Sequence, residues 1–194
     1  MNAWKNVVTC TAAIGLLSAQ IACAQAPPAA APAAAAPAAA APAAMAPKPV
    51  SFEIGQPAID FTVKNFEDKK DFVLSAELKK KKLLFVWLSS SCSSCLAEIT
   101  ELKKAQTEGL LKDTAVYVVS IDFNENNLQN YNDSFSHPDF TMLHDGKFAS
   151  ALKYGFRSTP ATLVLGKDGM IAYKSTGFQA GETKALVEAV NKSK

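Results

Sequence analysis

Two cysteines three residues apart, Cys92 and Cys95, are the side chains of this 194-residue chain whose types and spacing are best suited to chemistry. They enclose Ser93 and Ser94 and follow an apolar run over residues 83–88. Residues i and i+3 lie on one face of a helix, about 5 to 6 Å apart at Cβ, which is close to the separation that a disulfide accepts. The pair can therefore form and break a disulfide without refolding of the chain.

The position of the pair predicts different roles for the two thiols. A helix that begins at Cys92 directs unpaired N–H groups and the positive end of its dipole towards that sulfur, which favours the thiolate over the thiol. Cys92 is therefore the predicted nucleophile. Cys95 lies one turn further along and is expected to be more buried, so it is predicted to resolve the mixed disulfide.

Zinc sites use the same cysteine spacing, but zinc takes four ligands. The chain after residue 50 contains no second cysteine pair, and its only histidines are His137 and His144. We therefore interpret the pair as redox-active and predict neither a metal site nor a cofactor.

The first 24 residues have the composition of an export signal. One cationic side chain, Lys5, precedes an apolar run over residues 7–17, and Ala22-Cys23-Ala24 has the small-x-small form that signal peptidase accepts. Residues 1–24 are thus predicted to be a signal peptide or a membrane anchor. The small residue before Cys23 also resembles the end of a bacterial lipobox, although Gln20 stands where leucine is usual, so lipidation at Cys23 stays open as an alternative.

Residues 25–50 consist almost wholly of alanine and proline. Proline removes backbone donors and fixes φ, and alanine offers too little apolar surface for a core. We predict a disordered, extended linker of about 3 Å per residue. A spacer of this kind favours a domain that is tethered to a membrane at its N-terminus.

Residues 51–194 are predicted to form one domain, which is neutral overall. Of the 20 Lys and Arg residues only Lys5 and Lys48 precede it, and all 18 acidic residues lie within it. Neutrality argues against nucleic acid as the main partner.

Hydrophobic patterns in this domain predict an α/β fold, with a central mixed sheet flanked by helices on both faces. Residues 83–88 and 115–121 are apolar without alternation, which is typical of buried strands. Residues 92–108 are predicted to be a helix that Gly109 ends. The other predicted elements are an N-terminal hairpin at 60–63 and 72–74, helices at 125–135, 148–154 and 182–191, and a hairpin at 161–165 and 170–173.

Several motifs follow one another in order along this domain. They are GQPAIDF at 55–61, LSAEL at 74–78, the buried strand that leads into the cysteine pair, Cys95-x-x-Glu98, VVSID at 118–122 and YGFRSTPAT at 154–162. In this order and spacing they resemble the TlpA/ResA-type branch of the thioredoxin superfamily, the AhpC/TSA-related, membrane-tethered redoxins of bacterial envelopes. The resemblance covers residues 52–191 approximately and implies a thioredoxin-like fold with an N-terminal β-hairpin extension.

The resemblance also implies site residues beyond the cysteines. It implies that Pro160 is cis and faces the pair, so that Thr159 would offer backbone N–H and C=O groups to an extended substrate segment. Thr159 and Pro160 are accordingly the predicted substrate-binding residues. Glu98 and Arg157 are accessory candidates. The helix pattern places Glu98 on the solvated side, whereas its family position allows a role in proton transfer.

The chain departs from the usual pattern of this branch around the pair. Ser91 and Leu88 stand where aromatic residues are usual, and Trp87 is expected in the core instead. Ser94 and Thr100 replace two prolines. These changes leave the exchange chemistry intact and bear on substrate choice and reduction potential.

The predicted function is that of a thiol-disulfide oxidoreductase in the periplasm or cell envelope. Reduced Cys92 would attack a disulfide in an envelope protein, and Cys95 would release the product. The resemblance implies reduction for cytochrome maturation or copper-site assembly, with electrons from a membrane thiol donor.

A thiol peroxidase is one alternative. Ser89 precedes Cys92 by three residues, the spacing with which peroxiredoxins hydrogen-bond a peroxidatic cysteine, and Arg157 would favour the thiolate. Against this reading, Phe85 stands where a proline is expected.

A Cu(I)-binding metallochaperone is the other alternative. Two soft thiolates together with His144 or His137 would make a trigonal Cu(I) site. The related copper chaperones of this superfamily space their cysteines one residue further apart.

Overall fold

The computed structural model describes residues 53–135 and 138–194. The predicted signal segment, Cys23, the Ala/Pro-rich linker and His137 lie outside these residues. In the part of the chain that is described, no helix is both long and apolar enough to cross a lipid bilayer.

A mixed sheet, with seven strands in the described ranges, forms the centre of the fold. The strands are β1 (Thr62–Asn65), β2 (Asp71–Val73), β3 (Lys82–Leu88), β4 (Thr114–Ser120), β5 (Phe140–His144), β6 (Ala161–Leu165) and β7 (Ile171–Thr176). The helices are α1 (Leu74–Glu77), α2 (Ser93–Thr107), α3 (Glu125–Phe135), α4 (Ala149–Lys153) and α5 (Glu182–Lys192). The strand order is β2-β1-β5-β4-β3-β6-β7, in which β4 runs parallel to β3 and β5 and the other neighbours are antiparallel. The predicted mixed α/β sheet is confirmed.

The central strand β3 is buried along almost its whole length. Its side chains point alternately to two hydrophobic clusters, one on each face of the sheet. Leu84 and Val86 belong to the cluster that includes Ile99 of α2 and Val190 of α5. Phe85 belongs to the other, which is rich in aromatic residues. Burial on both faces explains why this strand appears in the sequence as an uninterrupted apolar run.

Trp87 lies in the core, as predicted, and is fully buried. Its ring packs among Phe61, Tyr154 and Phe156, with ring centroids 5.6 to 6.3 Å apart. The indole Nε1–H donates to Ser150 Oγ at 2.8 Å, so the buried donor is satisfied. Trp87 therefore stabilises the aromatic face of the sheet.

The predicted N-terminal hairpin is also confirmed, because β1 and β2 pair antiparallel. It extends the sheet beyond β5, where Lys64 lies opposite His144. Tyr154 holds the segment that enters the hairpin, since its Oη donates to the Ile59 carbonyl at 2.6 Å and accepts from the Ile59 N–H at 3.1 Å. The hairpin is therefore built onto the core of the domain.

Two elements were not predicted from the sequence. β5 contains only two buried side chains, Met142 and Leu143, so it produces neither a clear alternation nor a long apolar run. The four-residue helix α1 is too short for a periodic signal. The strand that sequence reasoning missed separates the hairpin from the rest of the sheet.

Several strands begin or end at the same end of the sheet. The parallel strands β3, β4 and β5 end there at Leu88, Ser120 and His144. β6 begins at this end, because Ala161 pairs with Trp87. The cysteine pair follows Leu88 after three serines, so it lies at this same end of the sheet.

Candidate functional site

The structure places the two cysteines at the start of α2 in unequal environments. Cys92 is the N-cap residue, and Cys95 lies in the first turn. A disulfide joins them, with a Cα–Cα distance of 5.2 Å. Cys95 is fully buried, whereas Cys92 is partly exposed. Only Cys92 is therefore accessible to a second protein in this conformation.

The first turn of α2 supplies hydrogen bonds to the exposed sulfur. The Cys95 N–H donates to Cys92 Sγ at 3.2 Å, and Ser94 Oγ lies 3.3 Å from the same atom. An N–H at the positive end of a helix dipole stabilises a thiolate more than a thiol. This arrangement suits Cys92 to act as the attacking or leaving sulfur in disulfide exchange.

The loop between β3 and α2 is held by Asp122, which follows β4. The Asp122 carboxylate accepts from Ser90 N–H at 2.9 Å, from Ser90 Oγ at 3.1 Å and from Ser89 Oγ at 3.0 Å. Ser120 Oγ donates to it at 2.8 Å, and Ser89 Oγ in turn lies 3.2 Å from Ser91 Oγ. Asp122 thereby fixes the serines that stand directly before the first cysteine.

Asp122 is charged at neutral pH. Its partial burial acts to raise its pKa, but the hydrogen bonds from Ser120, Ser90 and Ser89 outweigh that effect, and the net shift of the pKa is downward. The sequence contained this residue only as the last position of a motif. Its loop partners lie more than thirty residues earlier, so no local pattern reveals the contact.

Pro160 and Thr159 lie at the same end of the sheet as the cysteine pair. The Thr159–Pro160 peptide bond is cis, as the resemblance implied. Pro160 is buried, and its carbonyl accepts from the Gly177 N–H at 2.7 Å. Thr159 is partly exposed, and no backbone hydrogen bond joins it to another described residue. Within residues 53–135 and 138–194, its N–H and carbonyl therefore have no backbone partner.

The predicted solvated position of Glu98 is wrong. Glu98 lies one turn after Cys95 on α2, and only 2% of its surface is exposed. One carboxyl oxygen, Oε1, accepts a hydrogen bond from Thr162 Oγ1 of β6. The other, Oε2, is buried without a partner among the described residues. The prediction placed Glu98 outside because charged residues on a helix are usually exposed. In the structure its side chain instead faces β6, where it meets Thr162.

Burial changes the ionisation of Glu98. The pKa of its carboxyl is raised from 4.5 to about 7, mainly by loss of hydration; the Thr162 hydrogen bond opposes this shift, and the nearby charge of Glu182 contributes to it. Cys95 and Glu98 are residues i and i+3 of α2, and in a helix such residues have Cβ atoms about 5 to 6 Å apart. A carboxyl with a pKa near neutrality can accept or donate a proton at physiological pH.

The other candidate residues have different partners. Arg157 is exposed, and its Nη1 donates to the Phe156 carbonyl at 2.9 Å. Ser89 Oγ donates to Asp122, whereas Cys92 Sγ contacts the first turn of α2. The hydrogen bond from Ser89 that the peroxidase alternative requires is therefore replaced by another.

His144 is likewise engaged elsewhere. Its Nε2 lies 2.7 Å from the Asp122 carbonyl oxygen, at the end of β5. Within residues 53–135 and 138–194, no group of three or more His, Cys, Asp or Glu side chains is arranged to hold a metal ion. His144 thus provides no support for the copper alternative.

Comparison with known proteins agrees with this geometry. A family model described as Redoxin matches residues 53–190. The thiol:disulfide interchange protein DsbE of Pasteurella multocida is 28% identical over 127 residues, which make up 64% of this chain and 66% of that protein. The matched part therefore spans slightly less than two thirds of the relative's length.

Solved structures show the fold. A crystal structure of a provisionally named thiol:disulfide interchange protein DsbE from Chlorobium tepidum superimposes with a TM-score of 0.65 at 19% identity, covering 73% of this chain and 97% of that one. The thioredoxin domain of a thiol-disulfide oxidoreductase from Bacteroides vulgatus superimposes with a TM-score of 0.59 at 22% identity, covering 73% and 98%. The expected thioredoxin-like fold is confirmed.

Proposed function

The chain belongs to the redoxin family, and from this premise we propose that it is an exported thiol-disulfide oxidoreductase that reduces disulfides in partner proteins of the cell envelope. The observation that carries the proposal is the asymmetry of the pair. Cys92 is accessible and accepts an N–H bond at the start of α2, whereas Cys95 is fully buried behind it. A dithiol that attacks with one sulfur and resolves with the other requires this inequality.

The proposed cycle transfers two electrons to the partner. The Cys92 thiolate attacks one sulfur of the partner disulfide, which forms a Cys92–partner bond and releases the other partner sulfur as a thiolate. Cys95 then loses its proton and attacks Cys92 Sγ. The second partner thiolate leaves, and the Cys92–Cys95 disulfide remains. A membrane thiol donor would return the pair to the dithiol form.

Other residues would assist these steps. Glu98 is proposed to accept the proton that Cys95 loses, because its carboxyl lies one turn away and has a pKa of about 7. Thr159 is proposed to bind the partner backbone beside Pro160, because its own backbone groups are unengaged among the described residues. Arg157 is exposed and remains an accessory candidate without an assigned contact to the pair.

The cellular setting belongs to the same proposal. Residues 1–24 would direct export, and residues 25–50 would space the domain from a membrane tether, through lipidated Cys23 or an uncleaved segment. The resemblance to the TlpA/ResA-type branch supports cytochrome maturation or copper-site assembly as the process served. The name of the Pasteurella multocida relative supports disulfide interchange as the reaction class.

Direction of electron flow is the part of this proposal that one experiment can test. The full chain is reduced, separated from the reductant and mixed with excess insulin, whose interchain disulfides are the probe. We expect Cys92 and Cys95 to become oxidised while an equal amount of insulin disulfide is reduced, as measured by thiol titration and mass spectrometry. Failure of the reduced chain to reduce insulin, combined with rapid turnover of hydrogen peroxide, would favour the peroxidase alternative instead.

A further inference from the structure

Phe123 is an aromatic residue with an unusual position. It follows Asp122 directly, and 87% of its surface is exposed. It is the most exposed of the large hydrophobic side chains in the described part of the chain. Single apolar residues on a surface are normal, but aromatic side chains are frequent anchors of protein contacts, and Phe123 follows β4 at the end of the sheet that carries the cysteine pair.

A groove begins at this side chain. It has a volume of about 610 Å³ and lies between the loops after β4 and β5 and the strand β1. Phe123, His144 and Lys147 line it on the side of the loops. A Cβ atom at Gly146 would lie 3.1 Å from His144 Nε2 and 3.5 Å from the Asp122 carbonyl oxygen, so the backbone of the loop after β5 packs closely against both. The groove is therefore a formed feature of the fold.

Two lysines and two aspartates line the groove, and one of the lysines has no ion pair with a described residue. Asp71 pairs with Lys64 at 2.7 Å. The carboxylate of Asp145 accepts from the N–H groups of Ala149 and Ser150 at the start of α4. Lys147 is exposed, and no ion pair joins it to a described residue. The groove thus combines an exposed apolar side chain with one exposed lysine that has no ion pair among the described residues.

The groove lies at the same end of the sheet as the redox site. The carboxylate of Asp122, one residue before Phe123, holds Ser89 and Ser90 in front of Cys92. The Asp122 carbonyl contacts His144 on the other side. A protein whose disulfide reaches Cys92 therefore approaches the end of the sheet at which Phe123 is exposed.

We propose that this groove binds the polypeptide segment that flanks the target disulfide of the partner protein, and that the segment it selects carries an apolar side chain for Phe123 and an acidic one for Lys147. The inference rests on the proposed function and names the partner chemistry that the same site prefers. Aromatic anchors dominate the energy of protein contacts, and complementary charge sets their specificity and association rate.

The test uses the full-length chain and three disulfide probes. Two are synthetic peptides with the same disulfide-closed loop, one flanked by leucine and glutamate and the other by serine and lysine. The third is glutathione disulfide, which is too small to reach the groove. The second-order rate constant of reduction is measured for wild type, Phe123→Ser and Lys147→Glu. Leu110→Ser and Lys112→Glu are matched controls, since both positions are exposed at the opposite end of the sheet.

We expect wild type to reduce the leucine/glutamate peptide about tenfold faster than the serine/lysine peptide. Phe123→Ser should remove most of that preference, and Lys147→Glu should reverse its charge component. The rate with glutathione disulfide, and all rates of the two controls, should stay within about twofold of wild type.

Two results would count against the groove, and they differ from a failure of the function. Equal wild-type rates with the two peptides would overturn this inference alone. An unchanged or raised rate of Phe123→Ser with the leucine/glutamate peptide would do the same. A raised rate would indicate that another part of the chain covers the groove. Failure of the wild-type chain to reduce any of the three probes would overturn the proposed function and this inference with it.

Discussion

Replacing Cys92 by serine should reduce disulfide exchange to the level of the buffer without protein. A serine hydroxyl remains protonated at neutral pH and is a poor nucleophile without a base, whereas the cysteine accepts an N–H bond at a helix start that favours its ionised form. Cys95 cannot substitute for it, because this sulfur is fully buried. The measurement is the initial rate of insulin reduction by the Cys92→Ser variant.

A matched control separates this effect from a general disturbance of the first turn of α2. Ser93 is exposed and adjacent to Cys92, so Ser93→Ala changes the same turn without removing a sulfur. It should retain a rate within about twofold of wild type. A Cys92→Ser variant with substantial activity would show that the reactive thiol lies elsewhere.

Replacing Glu98 by glutamine should remove a pH dependence of stability. The carboxyl binds its proton more tightly in the folded state, where its pKa is about 7, than at its ordinary value of 4.5. Below pH 4.5 the carboxyl is protonated in both the folded and the unfolded state, so its ionisation does not change the free energy of unfolding. As the pH rises through 7, the folded state must hold a buried charge. The wild type should therefore lose roughly 3 kcal/mol of unfolding free energy between pH 4.5 and about pH 7.

Urea unfolding of the oxidised protein between pH 4 and pH 8 measures this loss. The Glu98→Gln variant keeps an acceptor for Thr162 and should show a flatter profile, with a higher stability than wild type at pH 8. Glu101→Gln is the control, because Glu101 is exposed on the same helix. Parallel profiles for wild type and Glu98→Gln would contradict the ionisation that we assign to this residue.

The same variant also tests the proposed proton acceptor. If Glu98 takes the proton from Cys95, its replacement should slow the resolution of the mixed disulfide by about tenfold or more at pH 7. The initial attack by Cys92 should stay unchanged. Slowing of both steps to the same extent would indicate a structural effect instead.

Much of the fold could be predicted because its signals are local. The apolar run of β3, the cysteine at the following junction and Gly109 after α2 are each visible in a few consecutive residues. Gly109 adopts a φ of 69°, a conformation that favours glycine and so ends the helix where the pattern placed its end. The assignment of Cys92 and Cys95 used the same kind of information.

What escaped prediction depends on contacts between distant segments. Asp122 acts on Ser89 and Ser90 through hydrogen bonds that form only when β3 and β4 lie side by side. Glu98 was assigned to the solvated side because charged residues on a helix are usually exposed, and only its contact with Thr162 shows otherwise. The exposure of Phe123 is a property of the folded surface, which no pattern in the sequence encodes.

The central claim is that Cys92 attacks and Cys95 resolves, and a trapping measurement tests it most directly. The full-length Cys95→Ser variant is mixed with insulin, and the covalent products are mapped by peptide mass spectrometry. We expect a mixed disulfide between Cys92 and an insulin cysteine to accumulate, while the wild type releases its product. Absence of the adduct, or an adduct located only at Cys10 or Cys23, would contradict the mechanism.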